Sequence, residues 1–238
     1  MKHAILMRGK SGPFPILQAL LTVLVCFLLT ATGSAEDDPA QEVIDCLQGE
    51  LGGLPGLSVA YEREILTPSS MALLGGGAGG DHASGHIHFK PPLSLKISQE
   101  TPRPETMVTD GHALWWYVPE KREAHRYRAE TMGKELRVLA DALRGLREAE
   151  KDFEVIWEGH SETGDRIIRL MPDPPWTQTD HIRLEVTEGC RLRVVEIHNT
   201  VGNVTRFVLG PPRECASFKE GFFSFTVPKG VRVVEESP

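Results

Sequence analysis

Short stretches in which apolar and polar residues alternate recur along most of the chain, and this pattern is typical of half-buried β-strands. Proline, glycine and Asp-Gly dipeptides separate the stretches. With no βαβ alternation and no long internal repeat, they predict one large antiparallel sheet. The predicted strands are Leu57–Leu66, His86–Lys90, Leu93–Ser98, Thr106–Thr109, Ala113–Val118, Ala124–Tyr127, Phe153–Trp157, Arg166–Met171, His181–Val186, Arg191–His198, Val204–Leu209 and Phe222–Thr226.

Two segments have helical periodicity instead. Asp38 and Pro39 suit the start of a helix, apolar residues follow at helical spacing as far as Leu51, and Gly52 ends it. Apolar residues between Met132 and Leu146 recur at steps of three and four. A sheet of this size must curl, twist or split. We therefore predict a mainly β (α+β) fold, a single curled antiparallel sheet forming an incomplete barrel, with helices covering its concave face as a lid.

The N-terminal segment predicts export. Lys2, Arg8 and Lys10 precede an apolar stretch from Ala19 to Leu29, and small residues lead up to Ala35. The apolar stretch is short for a membrane span of about 20 residues. We predict a cleaved signal peptide at residues 1–35 and one mature domain at 36–238. Cys26 lies inside the apolar stretch and is interpreted as part of the discarded peptide.

Charge limits the partners of the mature chain. Without its three signal-peptide cations, the chain has 23 basic and 33 acidic residues, a formal net charge of −10. An acidic surface argues against binding to nucleic acid or adhesion to anionic membranes. We expect a monomer without cofactor or metal.

Three cysteines remain in the predicted mature chain. An antiparallel hairpin turning near Gly202 would bring Cys190 and Cys215 together, so a bridge between them is geometrically reasonable. Cys46 would then be a small buried residue. The chain has no Cys-x-x-Cys motif that would indicate a redox site.

Residues 85–119 are the most informative block. They combine short apolar strands with clustered aromatic residues, which an exported protein can use to bind lipid. The block contains Asp110-Gly111, then Leu114, Trp115, Tyr117 and Pro119, and the chain later carries Phe223-Ser224-Phe225 and Gly230-Val231. In these motifs and in the order of its elements the chain resembles the periplasmic outer-membrane lipoprotein carrier (LolA) family.

The resemblance implies an unclosed β-barrel with helices as a lid over an apolar cavity. The cavity would take the acyl chains of a lipoprotein that an inner-membrane ABC-type complex releases. The carrier would cross the periplasm and deliver its cargo to the outer membrane, where an acceptor is a candidate partner. Such a carrier would bind its cargo loosely enough for an acceptor to take it and would catalyse no reaction, so no enzyme is expected.

The resemblance also suggests lipid-binding residues. Leu95 and Ile97 correspond to positions where the family has aromatic residues at the cavity or its mouth, and Leu51 corresponds to a cavity-facing residue of the first helix. Alternation along the strand adds Leu93. Trp115, Trp116 and Tyr117 are further candidates whose inward face the sequence does not decide. For each of these residues, ordinary core packing is the alternative.

One position departs from the family pattern. The arginine that holds the lid of the empty carrier closed is replaced by Pro91, which has no side-chain donor. Another group must hold the lid, or the protein stays more open, or its cargo and partner differ.

Other functions remain open at this stage. Asp81, His82, His86 and His88 form a metal-like cluster, for which a solvated loop and strand edge is the alternative. A lipid-sensing regulator with the same half-barrel, similar to RseB, is a second hypothesis, although that family carries a further domain. An exported hydrolase is a third, but no Gly-x-Ser-x-Gly or His-Glu-x-x-His motif supports it.

Overall fold

The fold is described from a computed structural model. The structure describes residues 38–70, 81–128, 134–147 and 149–236, so the predicted signal peptide lies outside the described residues. The helices are α1 (Pro39–Leu51), α2 (Lys134–Leu143) and the single turn α3 (Ala149–Asp152), with a 3₁₀ turn at Pro119–Lys121. The strands are β1 (Leu57–Leu66), β2 (Asp81–Lys90), β3 (Ser94–Thr101), β4 (Glu105–Thr109), β5 (Ala113–Val118), β6 (Glu123–Arg128), β7 (Phe153–His160), β8 (Arg166–Pro172), β9 (Thr179–Val186), β10 (Leu192–Asn199), β11 (Val204–Leu209), β12 (Arg213–Glu214) and β13 (Arg232–Glu236).

All thirteen strands belong to one sheet, and the sheet is open. Its order is β13-β6-β5-β4-β3-β2-β1-β11-β10-β9-β8-β7, with β12 added beside the start of β1. Two antiparallel meanders, β1 to β6 and β7 to β11, are joined where β1 pairs with β11. Among the strands of the described residues, only β13 and β6 pair in parallel. Among the described residues the edge strands β13 and β7 do not pair with each other, so the predicted large, unclosed antiparallel sheet is confirmed.

One face of the sheet, here called the inner face, carries the hydrophobic core. Strand alternation places Ile87, Phe89 and Leu184 on this face, and each is almost fully buried. Buried residues of α1 and α2, such as Leu47 and Leu139, belong to the same core cluster. The helices therefore pack on the inner face, where they bury the apolar surface of the sheet.

The first helix begins and packs as its sequence predicts. Asp38 caps it by accepting a hydrogen bond from the backbone N–H of Ala40 at 2.9 Å, and Pro39 opens the first turn. Its apolar stripe is buried, and Gly52 caps its C-terminus. No helix within the described part of the chain has the length and apolarity that a membrane crossing requires.

The disulfide differs from the predicted one. Cys46 of α1 is bonded to Cys190 in the turn between β9 and β10, and Cys215 is free. The predicted Cys190–Cys215 bridge is wrong because β12 pairs with the start of β1. This pairing holds Cys215 beside Gly56, where its N–H donates to the Gly56 carbonyl at 2.8 Å. The disulfide ties α1 to the sheet.

The C-terminal segment also differs from the prediction. Residues Phe222–Thr226 do not form a strand, and the final strand is instead β13. The segment crosses the face of the sheet opposite the helices, here called the outer face. Phe222 contacts His88 with ring centroids 5.1 Å apart, and Phe225 contacts Trp115 at 5.2 Å. Both faces of this half of the sheet are therefore covered.

Candidate functional site

An apolar cavity of about 460 Å³ lies on the inner face, between the sheet and helix α2. Strands β1, β3, β4, β5, β6 and β11 supply its walls, and Leu136 of α2 contributes from the helix side. The volume is in the range of small-molecule sites, about 300–1,000 Å³. The lining residues are Tyr61, Arg63, Ile65, Ile97, Gln99, Glu105, Met107, Leu114, Trp116, Tyr127, Leu136, Thr205 and Phe207.

Small residues of β2 pair with the β1 residues that line the cavity. Gly85 pairs with Tyr61 and Ala83 pairs with Arg63, so β2 presents almost no side chain to the inner face at these two positions. A Cβ on Gly85 would overlap the carbonyl oxygen of Ser98. Only glycine therefore fits at this position, which coincides with an irregularity in the β2–β3 register.

A more polar cavity of about 500 Å³ adjoins the apolar one and shares part of its lining, including Gln99 and Met107. We call it the polar mouth. It carries four charged side chains, two of each sign: Arg63, Asp81, Arg103 and Glu105. The Asp81 and Arg103 side chains are mostly exposed, whereas that of Arg63 is about one-fifth exposed. The site is thus apolar at one end and polar at the other.

Two side chains of the apolar wall, those of Trp116 and Tyr61, carry a polar group that is hydrogen-bonded or uncharged. The indole N–H of Trp116 donates to Glu105 Oε2 at 2.9 Å. Burial raises the pKa of the Tyr61 phenol, so this group is neutral at ordinary pH. The Tyr61 ring also contacts Phe207, with centroids 5.8 Å apart. The wall therefore offers rings and aliphatic groups with few free charges.

The structure brings only some of the candidate lipid-binding residues to the cavity. Ile97 and Trp116 line it. Leu51 and Leu95 belong to the packed core, and Leu93 is 37% exposed in the turn before β3, beside Gly111.

The other two aromatic candidates lie on the outer face. Trp115 and Tyr117 flank Trp116 on β5 and therefore point to the opposite side of the sheet, where both contact Phe225. Lipid binding by any of the seven candidates stays a prediction.

Several cavity residues were not predicted. Tyr61, Arg63 and Ile65 share one face of β1, and their period of two is visible in the sequence. The apolar residues Leu57, Val59 and Tyr61 mark the inner face of β1, but the sequence does not show that this face borders a cavity. Phe207 enters the site through this pairing, which joins residues far apart in the chain.

No group of three or more His, Cys, Asp or Glu side chains within the described ranges could hold a metal ion. In the cluster that suggested metal, His86 instead pairs with Glu100 at 2.9 Å and His82 lies 3.5 Å from Glu64. The cavity lining offers mainly apolar surface.

The site is thus an apolar cavity on the inner face of an open antiparallel sheet, with helices packed on the same face. The family model described as outer membrane lipoprotein carrier protein LolA matches residues 73–226, more than half of the chain. The chain therefore belongs to the LolA family.

Two relatives and one solved structure illustrate this similarity. An outer-membrane lipoprotein carrier protein of Nitrosospira multiformis is 26% identical over 155 residues, covering 65% of this chain and 73% of the relative. A protein of the same name from Vibrio cholerae is 21% identical over 192 residues, covering 81% and 89%. The crystal structure of an uncharacterized conserved protein from Thermus thermophilus has a TM-score of 0.51 at 11% identity, covering 84% of this chain and 100% of that one. The last similarity concerns the fold alone.

Proposed function

We propose that this protein is a periplasmic carrier that binds lipoprotein acyl chains in the inner-face cavity. An ABC-type complex of the inner membrane would supply the lipoprotein, and the carrier would deliver it to the outer membrane. The apolar cavity of about 460 Å³ in a member of the LolA family supports this proposal. The family match favours a carrier over the sensor and the hydrolase that the sequence left open.

The physical need for such a carrier follows from the cost of exposing acyl chains to water. Each buried methylene contributes about 0.8 kcal/mol, so a lipoprotein with several long chains does not leave a bilayer at a useful rate unaided. A carrier must replace the bilayer with an apolar surface and must release its cargo without breaking a covalent bond. A preformed cavity lined by rings and aliphatic side chains meets both conditions.

The helices would adjust to the size of the cargo. Leu136 of α2 borders the cavity, whereas α1 is tied to the sheet by the Cys46–Cys190 disulfide. We therefore assign the moving part of the lid to α2. Its neighbour Arg147 donates to the Gly52 carbonyl at the end of α1 at 2.8 Å, a contact that would hold the two helices together in place of the arginine that Pro91 replaces.

A cavity-filling substitution tests the proposal. Met107 lines the cavity, whereas Met171 lies on β8 opposite the exposed Glu154, away from it. Met107→Trp should lower lipoprotein uptake from vesicles that contain the releasing complex and ATP by about tenfold, because the cavity loses volume. Met171→Trp, the same change on the other face, should leave uptake unchanged. Equal uptake by both variants would show that the cavity is not where acyl chains bind.

A further inference from the structure

Arg63 is an arginine at the boundary between the apolar cavity and the polar mouth. It lies on the inner face of β1, opposite Phe207 on one side and Ala83 on the other. Arg63 lines both the apolar cavity and the polar mouth, so this residue marks the boundary between them. A guanidinium carries five N–H donors and no acceptor.

The hydrogen-bonding capacity of this guanidinium is not used within the described residues. Its Nε is buried and has no hydrogen-bond partner there. Its Nη2 lies 3.8 Å from Asp81 Oδ2, too far for a good hydrogen bond. A buried donor without a partner costs free energy, and the cost is larger for a charged group. Among the described residues, the Arg63 guanidinium therefore has a donor without an acceptor and only a long ion pair with Asp81.

The surrounding charges indicate which kind of oxygen fits. Arg103, the other cation of the polar mouth, is already bonded to Glu120 at 3.0 Å. Asp81 and Glu105 border the same space and would repel an anionic headgroup. A carbonyl oxygen would accept hydrogen bonds from Arg63 without adding negative charge.

We infer that Arg63 binds the ester carbonyl at the head of an acyl chain, so that the cavity takes acyl esters with their carbonyl end at the polar mouth. The inference rests on the proposed function and assigns to Arg63 the selection of ester-linked chains. The acyl chain lies against Met107, Leu114 and Phe207, and the rest of the cargo leaves through the polar mouth.

The test compares two lipopeptides of the same chain length, a dipalmitoylglyceryl peptide with ester carbonyls and its dihexadecyl ether analogue without them. Displacement of an apolar fluorescent dye from the cavity gives the dissociation constant of each. Wild-type protein should bind the ester about tenfold more tightly than the ether, the size expected for a hydrogen bond to a charged donor. Arg63→Met should bind both lipopeptides equally, and with the affinity of wild type for the ether.

Arg103→Met is the matched control, because it removes the neighbouring arginine, whose guanidinium already has a partner. This variant should keep the wild-type preference for the ester. Equal binding of ester and ether by wild type, or an ester preference that survives in Arg63→Met, would overturn the inference while leaving the carrier function intact. Tighter binding of free palmitate than of its methyl ester would also overturn it, because Arg63 would then serve an anion. Failure of wild type to bind any of these lipids would overturn the proposed function as well.

Discussion

Trp115, Trp116 and Tyr117 are consecutive residues with different roles. Trp116 borders the cavity, while its two neighbours pack under Phe225 on the outer face. The sequence shows the alternation but does not show which residues face inward. Both faces of β5 are covered, so aromatic residues occur on both, and the usual contrast between an apolar and a polar face is lost.

His88 is a second residue whose side chain lies on the outer face of the sheet. Its Nδ1 is buried without a hydrogen-bond partner among the described residues, and its ring lies against Phe218 and Phe222. Burial lowers the pKa of this imidazole, and the nearby His86 and Lys96 lower it further. The folded protein therefore favours the neutral form of His88.

This lowered pKa predicts loss of stability in acid. The contribution of neutral His88 is present above the unfolded pKa of about 6.5 and is lost as the pH falls through the lower folded pKa, because the unfolded chain binds the proton first. Urea unfolding between about pH 7.5 and 5.5 should show a smaller decrease in the free energy of unfolding for His88→Phe than for wild type. His112→Gln, at an exposed turn, should keep the wild-type decrease. Identical pH dependence of His88→Phe and wild type would contradict this account.

At the scale of elements, most strands could be predicted because their alternation is local. β1, β5 and β11 begin and end at the predicted residues, and most other strands differ by a few residues at either end. Phe222–Thr226 was assigned wrongly because alternating phenylalanines on a covering segment have the same period as those of a strand. The true last strand, β13, depends on a parallel pairing with the distant β6, for which the sequence has no local pattern.

The disulfide is a second element-scale feature that the sequence predicted wrongly. The hairpin of β10 and β11 suggested Cys215 as the partner of Cys190, whereas Cys190 is bonded to Cys46 of α1, far away along the chain. The bond joins residues separated by 144 positions and lies beside Arg166, whose Nη2 is 2.7 Å from Cys46 Sγ and 3.1 Å from the Thr187 carbonyl. It fixes one helix of the inner face to the turn between β9 and β10.

Removing this bond should destabilise the protein. Cys46→Ala should lower the free energy of unfolding by about 2–4 kcal/mol, because a crosslink closing a long loop restricts the unfolded chain. Urea denaturation without reductant measures the change. The matched variant Cys215→Ala removes a free cysteine and should stay within about 0.5 kcal/mol of wild type. Equal stability of the two variants would show that the bond does not hold α1 on the sheet.

In the whole molecule, the two meanders of the open sheet differ, because the cavity lies mainly in the first and the second is packed. Strands β1, β3, β4, β5, β6 and β11 line the cavity. On β7 to β11, the outer face carries an ion-pair network in which Arg183 contacts Glu158, Glu185 and Glu196. The inner face of this second half is packed with buried residues such as Ile168, Leu170 and Leu184, whereas the cavity lies mainly in the first half.

The family could be recognised from motifs in residues 85–119 and 223–231, but the cavity could not be located from them. The motif residues Trp115, Tyr117 and Phe225 belong to the outer face, where they join the C-terminal segment to the sheet. The cavity itself depends on pairs that only the folded sheet brings together, such as Arg63 with Phe207. Some residues of the motifs that identify this family therefore stabilise the fold and do not line the cavity.

If the inner-face cavity holds acyl chains, the protein should carry them when it is isolated. Mass spectrometry of the protein purified from the periplasm under conditions that preserve complexes tests this, with wild type, Met107→Trp and Met171→Trp compared. We expect acylated lipoprotein to co-purify with wild type and with Met171→Trp, and to be strongly reduced with Met107→Trp, whose cavity is filled. Wild-type protein that carries no acylated molecule and accepts none from membranes would contradict the account.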